Sequence, residues 1–404
     1  MAAPGKLARL PLGIVLLACT ILLALAALAG ICLGSISVPI DQVWAVLRYK
    51  VLGIGPEPDQ LYQMVVWKLR FPRVVYAALV GAALALAGAV LQGMIRNPLA
   101  DPYVIGVSSG ASLAAVIAMS SSTTPILRAV GVPVAAFIGA MITLIIVLLF
   151  AHRSGQFTGT RILLAGVAVG QVALAGTSLV QLHSEPAEVR GILFWMMGSV
   201  AGAEFGKLAV PAIAVIGCAL WLTFQGRNLN ALAMGDDDAI ALGVNVNRLR
   251  ILLIVVVAIL TGVAVSMAGG VGFVGLMIPH IARFLVGADY RRLLPVAALF
   301  GAAFLVLIDL VARGIDPPNE YPLTIFTAAI GGPFFSGYSR PAEPKAAHES
   351  QHRRHHRRNR RQHPGSKYQH RRRKQLSDST GRTQRIRKID TAPRDLSGTQ
   401  TNRG

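Results

Sequence analysis

Repeated long runs of apolar residues constrain the fold of this chain more than any other feature of its sequence. Apolar residues make up 53% of the 404 residues and charged residues only 14%, whereas soluble globular proteins carry about 25% charged residues. A helix needs about 20 apolar residues to cross the hydrocarbon core of a bilayer, and many windows of this sequence meet that requirement. Because backbone amides in lipid must be satisfied within their own segment, the sequence predicts an all-α polytopic membrane protein.

We predict about ten transmembrane helices and one short interfacial or re-entrant helix within residues 187–203, where Trp195 would lie at headgroup level. The first apolar run follows Lys6 and Arg9 and is longer than the core of a secretion signal, which favours an uncleaved span. The predicted spans are residues 12–34, 72–94, 103–119, 129–151, 161–182, 206–225, 248–268, 273–286, 293–313 and 321–335. The eighth and tenth are short and would be tilted or would cross only part of the bilayer.

The distribution of basic residues predicts the orientation of the chain in the cytoplasmic (inner) membrane. Lys and Arg accumulate on the cytoplasmic side of membrane proteins, and the bias here favours both termini in the cytoplasm. The bias is weakest around residues 68–73, where the outer side is locally basic. We interpret this local exception as a sign of function.

Three arginines mark the outer side. Arg70 and Arg73 lie just before the second predicted span, where Pro72 suits a first helical turn, and their spacing places them on one helix face. Arg313 ends the ninth span on the same side, and Asp309, four residues earlier, could pair with it within the helix. Such a group could bind an acidic protein surface or an anionic solute, or could only anchor helices at the lipid surface.

The loop at 227–245, between the sixth and seventh predicted spans, has the features of a docking segment. Two glycines divide it into two short helical pieces, and three aspartates begin the second piece, where the helix dipole favours acids. These residues are Gly235, Asp236, Asp237, Asp238 and Gly243. A solvated connecting loop would not need the apolar Leu229, Leu232, Ala239 and Leu242, so we predict that they form a surface that docks onto a cytosolic partner.

Two glycine-rich stretches resemble nucleotide motifs without their structural context. Residues 270–275 match GxGxxG but lie between membrane spans, so we interpret them as a tight turn. Residues 202–207 lack the Ser or Thr of a phosphate loop. Cys19, Cys32 and Cys218 lack metal-ligand spacing. The sequence therefore predicts a transporter subunit rather than an enzyme, with neither cofactor nor metal, and any ATP hydrolysis would come from a partner.

Short matching stretches spread over residues 10–335 carry a family resemblance. They include Arg-Phe-Pro-Arg at 70–73, Asn-Pro-Leu-Ala-Asp-Pro at 97–102, Trp-Met-Met-Gly-Ser at 195–199, the loop at 235–243, residues 272–283, Asp-Leu-Val-Ala-Arg at 309–313 and Gly-Gly-Pro-Phe-Phe at 331–335. With them the chain resembles the FecCD-type permeases of ABC importers for iron-siderophore complexes, haem and vitamin B12.

The resemblance implies ten spans per subunit and a dimer with a second permease copy, identical or not. It also implies two cytosolic ATPase subunits, and an extracytoplasmic solute-binding protein whose acidic residues meet Arg70, Arg73 and Arg313. The loop at 227–245 would be the coupling segment that seats in the ATPases, and the fifth and tenth spans would line the path. The implied cytoplasmic gate comprises Asn97, Leu99, Gly159 and Thr160.

Residues 336–404 depart from the family pattern and form a separate region after the permease domain at 1–335. Most of the net charge of +20 lies there, and with few apolar residues to bury we predict a disordered tail. It could bind anionic lipid, nucleic acid or, through its histidines, metal; we expect membrane lipid but not nucleic acid as a partner. Our preferred hypothesis is a reading-frame slip near codon 336, which would shorten the tenth span and put transport competence in doubt.

Two other functions are compatible with the composition. An ion-gradient-driven secondary transporter usually carries ionisable residues near the membrane midplane, whereas Asp309 and His280 are predicted near span ends. A nonconducting scaffold could recruit partners through the basic tail. For an importer, iron-siderophore is the first expectation for the cargo, haem the second and cobalamin the third.

Overall fold

The computed structural model describes residues 10–34, 36–120, 130–152 and 158–338, with side chains as far as 336. Every regular element within these residues is a helix, which confirms the all-α prediction. The last helix continues three residues past the predicted end of the permease domain. The rest of the predicted tail, 339–404, lies outside the described residues.

The helices follow one another in a simple order along the chain. They are α1 (Leu12–Cys32), α2 (Ile40–Leu47), α3 (Gln60–Ile95), α4 (Val107–Met119), α5 (Val132–Ala151), α6 (Gly159–His183), α7 (Pro186–Met196), α8 (Ala209–Phe224), α9 (Gly226–Met234), α10 (Asp236–Ala241), α11 (Val246–Ala268), α12 (Val274–Val286), α13 (Tyr290–Gly314) and α14 (Leu323–Tyr338).

Ten apolar units of this series correspond in order to the ten predicted spans. Six helices in the described part of the chain are long and apolar enough to cross a membrane alone, namely α1, α3, α5, α6, α11 and α13. Helices α8 and α9 meet the same criterion together, with a bend of 62° between them. The remaining units, α4, α12 and α14, are shorter apolar helices, so the short eighth and tenth spans are confirmed.

The second span begins earlier than the predicted residue 72. Residues Gln60–Ile95 form one helix, in which Gln63–Arg70 have π-helical hydrogen bonds and Phe71–Ile95 are regular α-helix. The extra turns mix polar side chains, such as Gln63 and Lys68, with apolar ones, so no continuous apolar run marked them. Pro72 lies in the first turn of the regular part, as predicted. The predicted interfacial helix appears as α7, which ends before a turn at residue 197.

Helix α3 lies at the centre of the bundle and packs against α11, α12 and α13. Close approach at two positions requires glycine. A Cβ on Gly81 would overlap the carbonyl oxygen of Gly301 in α13, and one on Gly88 would overlap that of Gly275 in α12. Small residues let membrane helices pack at such short range.

A tight turn joins α11 to α12, as the glycines at 270–275 predicted. Gly269 and Phe273 both have positive φ, +68° and +67°, a conformation that is rare for a residue other than glycine. The hydroxyl of Thr324 in α14 donates to the carbonyl of Gly270 at 2.7 Å. The amide of Val271 donates to the hydroxyl of Tyr103, before α4, at 2.6 Å. These bonds tie α14 and the segment before α4 to one turn.

His280 is not near a span end, so that prediction was wrong. Helix α12 is only thirteen residues long and places His280 at its middle, where it is buried with its ring edge-on to Phe284 and Phe334. The predicted span, 273–286, nearly matches α12, so the error lay in the position assigned to His280 within that span and not in the helix itself. Asp309 does lie in the last turns of α13, as predicted.

Candidate functional site

Three helices converge at one end of the bundle, which we call the arginine end: the last turn of α1, residues 70–73 of α3 and the last turns of α13. Arg70 donates to the backbone carbonyls of Ile31 and Cys32 at 2.8 and 2.9 Å, and Arg313 donates to that of Gly30. The last carbonyls of a helix have no partner within it and attract cations. Two of the three predicted docking arginines therefore stabilise the end of α1.

The third arginine, Arg73, makes a different set of contacts. Its Nε and Nη2 donate to Asp309 at 2.9 and 2.8 Å, and its Nη1 donates to Glu320 at 2.7 Å. Asp309 also lies 3.5 Å from the Nε of Arg313, which confirms the pairing predicted within α13. The carboxylate of Asp309 thus pairs with arginines from two helices, which share its single negative charge.

The structure brings the three predicted arginines together, but most of their surface is enclosed by the chain itself. Snorkelling anchors would hold their charged groups in water or lipid headgroups, whereas these guanidinium groups have intramolecular acceptors. The Asp309 side chain is 2% exposed and that of Glu320 is 37% exposed, so Glu320 is the part of the cluster that solvent reaches. Sequence analysis missed Glu320, because a loop glutamate 247 residues from its partner carries no local signal.

Helices α9 and α10 form the predicted coupling segment at 227–245, with Gly235 between them and Gly243 after them. The predicted apolar surface is wrong for three residues. Leu229, Leu232 and Ala239 are fully buried. Helix α9, which carries the two leucines, packs against α3 and α13, and α10, which carries Ala239, packs against α9 and α11. Leu232 therefore fixes the segment to the bundle instead of facing a partner.

The exposed apolar surface of this segment lies on other side chains. Leu242, which the sequence predicted, is 65% exposed, and it is joined by Met234 at 66% and Ile240 at 61%. Met234 ends α9, while Ile240 and Leu242 lie at the end of α10. We call these three residues the apolar tip. Burial depends on which face of each short helix packs onto the bundle, and the sequence alone did not specify that face.

The three aspartates begin α10 as predicted, but only one is fixed by ion pairs in the structure. Asp236 lies 2.9 Å from the Nη2 of buried Arg250 in α11 and 3.7 Å from Arg96. Asp237 and Asp238 are exposed. Because Arg96 directly precedes Asn97, an ion pair connects the predicted coupling segment to the predicted gate.

The predicted gate residues lie around the end of α3. The Oδ1 of Asn97 accepts a hydrogen bond from the amide of Leu99 at 2.9 Å, which closes a tight turn whose Leu99 side chain is exposed. A Cβ on Gly159 would lie 3.5 Å from the Cα of Ile95, and exposed Thr160 follows it at the start of α6. The structure therefore brings the start of α6 beside the turn.

A second connection between the coupling segment and the gate runs through polar side chains. The backbone amide of Tyr290 donates to Asn230 in α9 at 2.9 Å, and the Nη2 of Arg283 donates to the Tyr290 hydroxyl at 3.4 Å. Arg283 also donates to Gln92, whose backbone carbonyl accepts from the amide of Asn97 at 3.2 Å. This series of bonds crosses four helices, so residues far apart in sequence form it.

Asn230 also fixes the start of α13. Its side-chain amide donates to Asp289 at 2.7 Å, and that bond lowers the pKa of Asp289 below its usual value, against the opposing effect of partial burial. Asp289 in turn accepts from the amide of Arg291 as the N-cap of α13. A carboxylate at this position also complements the helix dipole.

Comparison with known proteins agrees with this architecture. The model of the FecCD transport family matches residues 21–338. The chain is 45% identical over 285 residues to the cobalamin import system permease protein BtuC of Halobacterium salinarum, an alignment that covers 70% of this chain and 75% of that protein. It is 37% identical over 330 residues to the hemin transport system permease protein HmuU of Yersinia pestis, covering 81% and 94%.

A further relative and one solved structure are similar over most of their length. The iron(3+)-hydroxamate import system permease protein FhuB of Bacillus subtilis is 38% identical over 327 residues, covering 80% of this chain and 82% of that protein. A structure reported as an inward-facing conformation of a metal-chelate type ABC transporter superposes with a TM-score of 0.70 at 33% identity. That superposition covers 80% of this chain and 97% of the other.

Proposed function

The chain belongs to the FecCD transport family, and from this premise we propose that it is the permease subunit through which a separate cytosolic ATPase drives uptake of a bulky metal chelate. The names of its relatives support this cargo class, since they include permeases for cobalamin, hemin and iron(3+)-hydroxamate. The subunit makes and breaks no covalent bond. It provides the path and the surfaces through which its partners act.

The apolar tip is the observation that carries this proposal. Met234, Ile240 and Leu242 are each more than 60% exposed on short helices at the end of a bent span. Large apolar side chains exposed close together commonly mark a protein interface, and these three lie in one short stretch of chain, 234–242. The tip is held in place by the buried Leu229 and Leu232, so an ATPase that binds it would pull on the bundle rather than on a mobile loop.

Motion of the coupling segment would reach the gate by two routes. One is the ion pair between Asp236 and Arg96, and the other is the series of hydrogen bonds from Asn230 to Gln92. We expect the ATPase to bind one conformation of the segment more tightly in its ATP-bound state, because a ligand shifts an equilibrium only by its difference in affinity for the two states. The turn around Leu99 would then open or close the path.

The other partners follow from the remaining surfaces. An extracytoplasmic solute-binding protein would dock at the arginine end, which places the coupling segment and both termini in the cytoplasm. A second permease copy would cover α6, which has a long apolar stretch of which only 28% is buried. Helices α6 and α14 would line the path between the two copies.

Co-purification with the cognate ATPase and uptake into proteoliposomes test the proposal. We expect ATP-dependent uptake of cyanocobalamin, hemin or a ferric hydroxamate when the ATPase and the binding protein are present. Ile240→Asp is expected to abolish both ATPase co-purification and uptake. Ile54→Asp is the matched control, because Ile54 is 57% exposed on a loop at the arginine end, and it should leave ATPase binding intact.

The secondary-transporter alternative makes a different prediction in the same vesicles. His280 is an ionisable residue in the middle of an apolar helix, as such a transporter would require. If the permease alone accumulated one of these chelates under an imposed proton or sodium gradient, and Ile240→Asp had no effect, the ATPase-driven mechanism would be wrong.

A further inference from the structure

Glu320 lies at the boundary between the buried arginine cluster and solvent. It belongs to the loop between α13 and α14, and its side chain is 37% exposed, whereas that of its partner Arg73 is 12% exposed. A backbone hydrogen bond holds the loop in this position: the amide of Tyr321 donates to the carbonyl of Ala312 at 3.1 Å. The carboxylate of Glu320 therefore covers the solvent-facing side of Arg73.

The two carboxylates that bind Arg73 are not equivalent. Asp309 accepts from Nε and Nη2, is enclosed by the helices and also neutralises Arg313. Glu320 contacts only Nη1 and is attached to a loop. If one carboxylate is to be replaced by a group from outside, only Glu320 can leave without opening the packed helices.

A guanidinium at this depth cannot remain without a counter-charge, because removing one partner of a buried ion pair costs several kcal/mol. Asp309 supplies one negative charge to the guanidinium groups of both Arg73 and Arg313, so a second carboxylate is needed to balance this pair whenever a partner protein is absent. We propose that Glu320 is an internal placeholder: it occupies the Nη1 edge of Arg73 in the undocked permease and gives way to an acidic side chain of the solute-binding protein on docking. This inference rests on the proposed function.

Exchange of one carboxylate for another conserves the charge around Arg73. The buried cluster consequently keeps its neutralisation throughout the exchange, and docking costs little desolvation at this position. Competition between Glu320 and the incoming carboxylate also weakens docking. The apparent affinity is reduced in proportion to the fraction of molecules in which Arg73 is accessible. A placeholder of this kind favours rapid release of the binding protein after each delivery.

Binding of the chelate-free solute-binding protein of the same importer to the full-length permease in nanodiscs tests the inference. Glu320→Gln retains the carbonyl acceptor for Nη1 but removes the competing charge, so it should lower the dissociation constant about three- to fivefold, as expected for one partly exposed ion pair. Glu320→Asp keeps the charge and should stay within about twofold of wild type. Glu57→Gln, an exposed glutamate near Gln63, is the control and should have no effect.

The outcomes separate the inference from the proposed function. If the wild-type permease fails to bind the solute-binding protein at all, the docking role of the arginine end is wrong, and the placeholder is wrong with it. If the wild type binds but Glu320→Gln binds equally or more weakly, with an unchanged melting temperature, docking stands and the placeholder role is refuted.

Discussion

Replacing Asp309 by asparagine removes the carboxylate that two enclosed arginines share. The substitution conserves side-chain size and leaves one carbonyl oxygen as an acceptor, so its main effect is the loss of one negative charge. Arg73 would keep Glu320 as a partner, while Arg313 would keep only the carbonyl of Gly30. The structure therefore predicts one guanidinium that is left buried without a counter-charge.

The expected magnitude follows from that arrangement. Removing one partner of a buried ion pair destabilises proteins by about 3–5 kcal/mol, and the lower end applies here because Arg73 retains a carboxylate. A loss of about 3 kcal/mol corresponds to a fall of roughly 6 °C in melting temperature for a medium-sized chain. Because large membrane proteins unfold irreversibly, the comparison is made at one scan rate.

The assay is thermal unfolding of the purified permease in nanodiscs at neutral pH, followed by tryptophan fluorescence. Asp316→Asn is the matched control, since Asp316 lies on the adjacent loop, where it is exposed and accepts from Asn319, and it should melt within about 1 °C of wild type. Adding Arg73→Met to Asp309→Asn removes the arginine with which Asp309 makes its shortest hydrogen bonds, so the loss in the double variant should be smaller than the sum of the two single losses.

Two results would refute this reasoning. In the first, Asp309→Asn and Asp316→Asn have the same melting temperature, which would mean that the arginine cluster is hydrated and contributes little to stability. In the second, the losses from Asp309→Asn and Arg73→Met add in full, which would mean that the two side chains do not interact.

Three further predictions concern the helices and the coupling segment. Leu232→Ala should destabilise the permease by about 2–4 kcal/mol, since the Leu232 side chain is fully buried. Ile240→Ala should weaken ATPase co-purification with little change in melting temperature. Equal melting temperatures of the two variants would contradict the assignment of Leu232 to the buried face and Ile240 to the exposed face of the coupling segment. Gly88→Val should abolish recovery of monodisperse protein on size-exclusion chromatography, because even a Cβ there overlaps the backbone of α12, whereas Gly217→Val has open space and should be recovered normally. The folded-state pKa of Asp289 lies below its ordinary value of 3.8, so its contribution to stability is present above that pH and is lost as the pH falls through the folded-state value. Asp289→Asn should therefore flatten the fall in melting temperature measured below about pH 4. If the variant lost melting temperature below about pH 4 as steeply as wild type, this role of Asp289 would be wrong.

Local features of the sequence determined much of the architecture. Apolar runs predicted the ten spans, glycines predicted the turn at 270–275 and the break at Gly235, and the four-residue spacing predicted the pair of Asp309 with Arg313. Each of these depends on residues within a few positions of one another. Helix geometry and backbone conformation relate such residues directly, so the sequence pattern suffices.

The predicted sites were only partly determined in this way. The sequence identified Arg70 and Arg73, but not that Arg70 stabilises the end of α1 or that Glu320 covers Arg73. It identified the coupling segment but assigned Leu232 to its surface, because a short amphipathic helix does not reveal which of its faces the bundle will cover. The segment at 60–70 was likewise missed as helix, since its polar residues interrupt the apolar ones and leave no continuous apolar run.

The tertiary structure alone decided the contacts that join distant parts of the chain. Arg73 and Asp309 are 236 residues apart, and Arg283 and Gln92 are 191 apart. No periodicity or spacing relates such pairs, because they meet only after glycine contacts have set how closely α3 packs against α12 and α13. The apolar runs of the sequence determined how many helices can cross a membrane, and helix packing determined which charged side chains face each other.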